Sequence, residues 1–335
     1  MRILAYLELY AHKNKSGGEI YIHNLLKNIE GNVSVITDGE SEGINYDDIK
    51  VFESNEPNKI QYIDNCDIVI SQLKYSLKAL KYGLLKGKKC ILIVHSYLKE
   101  LDQLIEDERV IKIFNSNYVF KDCKKIKGKH FIIEPFVDFP LYNKYFDKDL
   151  ECREYIGMVN PSFSKGGDVF YELCRYFKDR KFIVVEGGYL KETQPLQKFR
   201  DLPNVLVLKN THRMIEEFYS RTRIVIIPSR LETYGMVAVE AMSMGIPVIV
   251  NEDTGLKENI GKIGLYARTP KKQCNKTDLK SYIKKIELLD DKSTYVLWVN
   301  YFINRSYEKY MSNQGNVEQF LTCLSRTDSR TEQKL

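Results

Sequence analysis

Between residues 224 and 250 the chain reads IVIIPSRLETYGMVAVEAMSMGIPVIV, and the spacing of its apolar positions changes twice. Residues 224–227 form an unbroken apolar run closed by Pro228 and Ser229, the pattern of a short strand buried on both faces. A polar loop follows, and residues 236–244 then repeat apolar positions at helical spacing until Gly245 stops them. Pro247 opens a second β-branched run, residues 248–250. The stretch predicts strand, loop, helix and strand: one parallel βαβ unit.

The same alternation fills the rest of the chain. Residues 2–10 predict a first strand. After a polar loop ending in Ser16, Gly17 and Gly18, an amphipathic helix covers 19–29 with Ile22, Leu25, Leu26 and Ile29 inward. Short β-rich runs recur at 32–38, 48–53, 67–72, 90–95, 110–116 and 130–136. Leu73, Leu77, Leu80 and Leu84 fall on one face of an intervening helix, with Lys74, Lys78 and Lys81 on the other. From 136 to 154 the rhythm breaks into an aromatic, proline-containing and charged segment, which we read as the interdomain linker. Beyond it, strands are predicted at 154–160, 181–188, 204–210 and 264–268, with a helix over 168–177. Two helices close the chain, 277–290 and 293–324, with Trp298, Phe302 and Tyr307 among their apolar positions and a polar tail after them. The class is α/β: two open, mainly parallel sheets with helices on their faces. One domain covers 1–150 and a second 151–305, leaving 306–335 as terminal helix and tail.

Composition narrows what such a chain does. Its 335 residues suffice for about two domains, and 43% hydrophobic with 29% charged residues is the balance of a soluble globular protein. The formal charge of +6, from 51 basic and 45 acidic residues, is too mild to call for nucleic acid, and no aromatic and basic module for it is present. It suits an anionic small-molecule partner. It also suits peripheral contact with an anionic membrane through Lys74, Lys78, Lys81 and the basic run 121–129. The seven cysteines are odd in number and make no Cys-x-x-Cys pair, so they read as reduced, buried thiols of a cytosol-like compartment. No apolar run approaches membrane-span length and no leader is visible, so the expectation is a cytoplasmic protein, at most peripheral on the membrane face.

Candidate chemistry collects at predicted strand ends, where open parallel sheets bind their ligands. Gly235 stands where the helix 236–244 begins, and a residue without a Cβ lets an anion reach the free N–H groups of Met236 and Val237 at the positive end of the helix dipole. Glu232 and Glu240 flank that seat with seven residues between them, and Glu240 lies on a largely apolar helix face, where a carboxylate needs a partner. Lys165, followed by Gly166 and Gly167 where a helix begins, is a compact cation beside backbone donors, suited to phosphate. Gly17 and Gly18 occupy a similar strand-to-helix turn, and Gly187 with Gly188 ends a strand. His95 follows the strand 90–94 directly, whereas His12, His23, His130 and His212 lack such a position. The Asp147-Lys148-Asp149 triplet lies in a charged linker with no strand before it and reads as solvated. No His, Cys or carboxylate spacing suggests a metal.

Taken together, Glu232, Tyr234-Gly235, Glu240-Ala241-Met242 and Gly245-Ile246-Pro247-Val248 resemble the signature of the retaining, nucleotide-sugar-dependent glycosyltransferases of family 4. The resemblance runs in order over nearly the whole chain, with its specific motifs at 157–168 and 226–250. It implies a GT-B fold, two Rossmann-like domains facing each other across a cleft, with the terminal helix crossing back to the first domain. It implies transfer of a sugar from a UDP- or GDP-linked donor to a hydroxyl of a glycan, or of a lipid- or protein-linked sugar. Transfer is expected with retention at the anomeric carbon and without a metal or other cofactor. By the resemblance Glu232 faces the donor sugar, Lys165 and the N–H groups after Gly235 hold the diphosphate, and Glu240 binds the ribose hydroxyls. His95 lies near the donor sugar, and Gly17 and Gly18 close over diphosphate and acceptor. Tyr234, Met236 and Val237 belong to the donor seat, Gly187 to a glycine loop near the nucleotide, and 211–214 lie near the base. One departure matters: the family's arginine a few residues before the lysine is absent, and Val159 and Asn160 occupy that region. Either another cation, Arg230 being a candidate, supplies the second charge, or donor affinity and rate are reduced; the alternative reading is a nucleotide-sugar-binding protein with little or no transferase activity.

Overall fold

The structure, a computed structural model, describes residues 1–335 apart from 14–15, 41–42, 56–57, 147–152, 188–193, 212 and 326–335, and apart from the side chains of 194–195 and 276–277. Its contacts divide the chain into two compact units, Met1–Phe136 with Met311–Leu335, and Val137–Tyr310. The first break comes at Phe136, whose ring still packs near Tyr21 of the first unit, whereas the apolar side chains after it have partners in the second. Val137 packs with Tyr234 and Val239, and the Phe139 ring lies 5.3 Å from Tyr307 and 6.1 Å from Tyr310.

In the first unit β1 (Arg2–Tyr6), α1 (Gly17–Lys27), β2 (Asn32–Thr37), β3 (Ile44–Tyr46), β4 (Ile49–Glu53), β5 (Ile68–Gln72), α2 (Ser76–Leu85), β6 (Lys89–Val94), α3 (Asp102–Ile105), β7 (Val110–Phe114), α4 (Asn117–Asp122) and β8 (His130–Ile132) follow one another. They build an eight-stranded sheet in the order β3-β4-β2-β1-β5-β6-β7-β8, parallel except for the β3–β4 hairpin. Alternate residues serve opposite faces. Ile3, Ala5, Ile91 and Ile93 share a core with Ile22, Leu25 and Leu26 of α1, while Leu4, Tyr6, Cys90 and Leu92 share one with Ala79 and Leu80 of α2 and Val119 of α4. Burial on both faces is why these strands read as unbroken apolar runs. Two expectations shift. The first strand ends at Tyr6, well before residue 10. Leu73 precedes α2 in a left-handed backbone (φ 55) and is exposed, so Ala79, Leu80 and Gly83 carry the inward face in its place.

The second unit holds α5 (Phe139–Lys144), β9 (Tyr155–Val159), α6 (Gly167–Tyr176), β10 (Phe182–Val185), α7 (Gln194–Arg200), β11 (Val205–Leu208), α8 (Met214–Glu217), β12 (Thr222–Ile227), α9 (Met236–Ser243), β13 (Val248–Asn251), α10 (Leu256–Ile260), β14 (Leu265–Ala267), α11 (Lys280–Leu288) and the start of α12 (Lys292–Ser325). Its six strands are parallel in the order β11-β10-β9-β12-β13-β14. Helix α12 serves both cores: Tyr295, Val299 and Phe302 pack in the second unit, and Val317, Phe320 and Leu324 in the first. Cys66, Cys90, Cys123, Cys174 and Cys274 are buried and unbridged and Cys323 is half-buried; Cys152 and the triplet 147–149 lie outside the described residues. Among the described residues, no helix is long and apolar enough to cross a membrane.

Among the parallel strands of each sheet the order reverses once, between β1 and β5 in the first and between β9 and β12 in the second. Connections leave toward opposite faces on either side of such a point, which opens a crevice beyond the carboxyl ends of the two strands.

Candidate functional site

The loops after β9 and β12 leave the second sheet at its reversal point and are tied to each other. The Arg230 N–H donates to the Ser164 carbonyl at 2.8 Å. Gly166 has φ +80, and a Cβ there would stand 2.2 Å from the Pro228 carbonyl oxygen; at Gly167 a Cβ would stand 1.8 Å from the Pro161 carbonyl oxygen. Both glycines are therefore required by backbone packing alone. The consequence is that Lys165 Nζ lies 2.7 Å from Glu232 Oε2, an ion pair whose side chains are 32% and 16% exposed.

Gly235, at φ 89, precedes α9, and no side chain caps that helix start. A Cβ on Gly235 would stand 2.3 Å from Leu256 Cδ2, so the left-handed turn and α10 together demand glycine. The Gly255 N–H donates to the Glu232 carbonyl at 2.9 Å, and Asn259 Nδ2 donates to the Tyr234 carbonyl. The turn carrying Glu232 is thereby braced by α10 and the residues before it. Met236 and Val237 are half-buried in the uncapped first turn, where backbone N–H groups and the helix dipole attract an anion. The Tyr234 ring, in contrast, is buried with Val137 and Val239, with the Lys309 ammonium 5.6 Å from its centre.

Glu240 finds its partners in two phenols. The Tyr219 hydroxyl donates to Glu240 Oε2, and the Tyr142 hydroxyl bonds the same carboxylate. Burial pushes the Glu240 acid above its ordinary value of 4.5, and the two phenol bonds oppose that rise. A carboxyl that resists ionisation in the fold costs no stability below pH 4.5, where it is protonated folded or unfolded, and costs progressively more as pH rises toward its folded pKa. Glu240→Gln, which keeps an acceptor for the phenols, is thus expected to raise Tm at neutral pH by an amount that shrinks on acidification and vanishes below the ordinary glutamate value. Thermal denaturation of both proteins across this range checks it, and a glutamine variant that melts lower at pH 7 contradicts it.

Arg230 does not supply the missing second cation. Its guanidinium grips Asp168 with two bonds of 2.7 and 2.8 Å and donates to the carbonyls of Pro270, Phe163 and Lys272. The Phe163 ring lies 4.0 Å away from it. A planar fork saturated in this way is a structural clamp. Asn160 is occupied locally as well, for it turns the chain at φ 58 and its N–H donates to the Val185 carbonyl at 2.8 Å. Gly187 lies against it, since a Cβ there would stand 2.4 Å from Asn160 Cγ. Gly188 and His212 lie outside the described residues.

His95, Gly17 and Gly18 belong to the first unit. His95 follows β6, its Nε2 lies 2.6 Å from Gln72 Oε1 at the end of β5, and the Tyr21 ring stands edge-on at 5.0 Å. Desolvation lowers its pKa to about 4, so the imidazole is neutral at physiological pH. Gly17 begins α1, and a Cβ on Gly18 would meet open space. His12 and His23, given no role from the sequence, are also paired. His23 bonds the Tyr10 hydroxyl at 2.7 Å and Asp47 at 3.1 Å, and His12 bonds Glu53 at 3.1 Å. The signal was absent from the sequence because both acids come from the β3–β4 hairpin. Among the described residues, no group of three His, Cys, Asp or Glu side chains is arranged to hold a metal.

The sequence model of the glycosyl transferases group 1 family matches residues 153–301. An uncharacterised glycosyltransferase of Methanocaldococcus jannaschii is 27% identical over 226 residues, 65% of this chain and 55% of that protein. The capsular polysaccharide biosynthesis glycosyltransferase CapM of Staphylococcus aureus is 31% identical over 149 residues, 44% of this chain and 35% of CapM. The chain thus spans about half the length, or less, of these curated relatives. The crystal structure of Anabaena HepE in complex with UDP and glucose is similar with a TM-score of 0.77 at 15% identity, covering 96% of this chain and 100% of that one. That likeness is one of fold, and the fold is GT-B. Residues 153–301, which carry the signature at 226–250, thus match the model of the glycosyl transferases group 1 family, on a chain whose fold is that of GT-B glycosyltransferases.

Proposed function

We propose that the protein is a retaining glycosyltransferase of family 4 that moves a sugar from a UDP- or GDP-linked donor to a hydroxyl of a glycan, or of a lipid- or protein-linked sugar. The observation that carries this reading is the Lys165–Glu232 pair at 2.7 Å beside the uncapped start of α9. Cleavage of the anomeric C–O bond leaves negative charge on the diphosphate. Lys165, the Met236 and Val237 N–H groups and the α9 dipole offer fixed positive potential to that charge, in the role a divalent cation has in other glycosyltransferases. As the diphosphate takes Lys165, Glu232 is released to face the sugar and stabilise positive charge developing at the anomeric carbon. The acceptor oxygen bonds to that carbon from the face the leaving group departs, and its proton passes to the departing phosphate oxygen, so configuration is retained. His95, assigned to the sugar by the resemblance, acts as a neutral hydrogen-bonding group, and Gly17 and Gly18 serve diphosphate and acceptor. Peripheral contact with an anionic membrane belongs to the same proposal. It is supported by α2 and α4, which cover the same face of the first sheet and carry or precede the basic runs.

A second reading, a nucleotide-sugar-binding protein with little transferase activity, is favoured by one observation: Arg230 is committed to Asp168. Thermal-shift screening against UDP- and GDP-sugars, followed by assay of donor hydrolysis and transfer, separates the two. A stabilising donor that also turns over supports transfer; a stabilising donor that never turns over supports the second reading; and no stabilisation by any donor removes both.

A further inference from the structure

We propose that Tyr142 and Tyr219 are positioning residues for the donor ribose: together they aim the Glu240 carboxylate so that its free lone pairs meet a vicinal diol. This rests on the donor reading above. Glu240 lies one turn into α9, beyond the uncapped N–H groups. A glutamate there has three rotatable bonds and no fixed direction of its own.

The two tyrosines fix that direction from separate elements. Tyr219 begins the 3-10 turn Tyr219–Arg221, is wholly buried, and sits in the core of the second unit. Tyr142 comes from α5, which lies beside α9 and is held at both ends. Before it, Val137 packs on Tyr234 and Val239; after it, the Phe146 ring approaches so closely that a Cβ on Gly245 would stand 2.7 Å from it. The Asp138 carboxylate caps α5 by accepting from the Leu141 N–H at 2.9 Å. The Tyr142 and Tyr219 rings meet edge to face, 6.0 Å apart at 72°. Burial holds both phenols protonated, so toward Glu240 they act as donors.

The stoichiometry then points to the ligand. A carboxylate offers about four lone-pair sites. Two phenols use two of them, leaving the number that the 2′- and 3′-hydroxyls of a ribose require. Tyr142, on α5, lies outside the family-matched segment 153–301.

Isothermal titration of the full chain with UDP and GDP, and with their 2′,3′-dideoxy counterparts, tests the proposal. Wild type is expected to prefer the ribonucleotide by roughly ten- to hundredfold, the worth of charge-assisted bonds to two hydroxyls. Tyr142→Phe keeps the ring and removes one donor; the preference should fall by about fivefold or more, with dideoxy affinity unchanged, and Tyr219→Phe should do the same. In donor turnover the change should appear in KM with kcat within about twofold. Equal weakening of both ligands, or no change in either, would show the phenols to be packing alone and overturn the proposal. Wild type binding both ligands equally overturns it while leaving the donor reading intact; wild type binding neither UDP nor GDP removes both.

Discussion

Glu232→Ala is expected to lower turnover by roughly 10²- to 10³-fold, the usual cost of removing one preorganised electrostatic partner of the transition state. Nucleotide affinity should stay the same or tighten slightly. The reason is the 2.7 Å bond between Glu232 and Lys165. In the unliganded site this carboxylate competes with the diphosphate for the lysine, so its removal leaves Lys165 uncommitted and available to phosphate. Binding and turnover should therefore move in different directions, which mere damage to the site would not produce. The surrounding turn has independent supports, the Gly255 N–H on the Glu232 carbonyl and the Leu256 side chain against Gly235, so truncation at Cβ should not collapse it. Single-turnover rates and titration with the nucleoside diphosphate decide the matter. Full turnover in the variant would sink the role assigned to Glu232, and a parallel loss of affinity would make its contribution one of uniform binding.

The largest expected effect on stability is at Arg230. Arg230→Ala should destabilise the second unit by about 3–5 kcal/mol, the cost of stripping one partner from a buried ion pair, or roughly 10 °C in Tm. The pair is well shielded, with 12% and 15% of its side chains exposed. Removal leaves the Asp168 carboxylate with the Cys274 N–H at 2.8 Å, and takes the guanidinium bond from the Pro270, Phe163 and Lys272 carbonyls and the cation from the Phe163 ring. Adding Asp168→Ala should recover part of the loss, since the stranded charge goes with it. A single variant that melts within about 1 °C of wild type would mean the clamp is dispensable. Arg230 would then be open to the diphosphate role that its contacts now preclude.

The contrast between these residues shows where the sequence is legible. The βαβ unit at 224–250 announces itself because apolar period, a turn-forming glycine and a helix stop are local properties. The two-unit α/β architecture follows from many such local patterns in succession. Arg230 misleads because an arginine in a polar loop reads as a surface cation until its partner is known. Asp168, 62 positions away, is brought to it by the neighbouring of β9 and β12. Glu240 shows an intermediate case: its apolar helix face demands a donor, yet nothing near it in sequence names Tyr142 or Tyr219.

Local sequence was therefore enough to set the succession of strands and helices, the glycines at Gly166, Gly167 and Gly235, and the places where charged side chains emerge at strand ends. Which of those strand ends are neighbours is settled only in three dimensions. Strand order reverses between β9 and β12, and that choice joins Lys165 to Glu232 and withdraws Arg230 to Asp168. Backbone preference and side-chain period act over a few residues, whereas the order of strands in a parallel sheet is selected by burial of both faces across the whole unit.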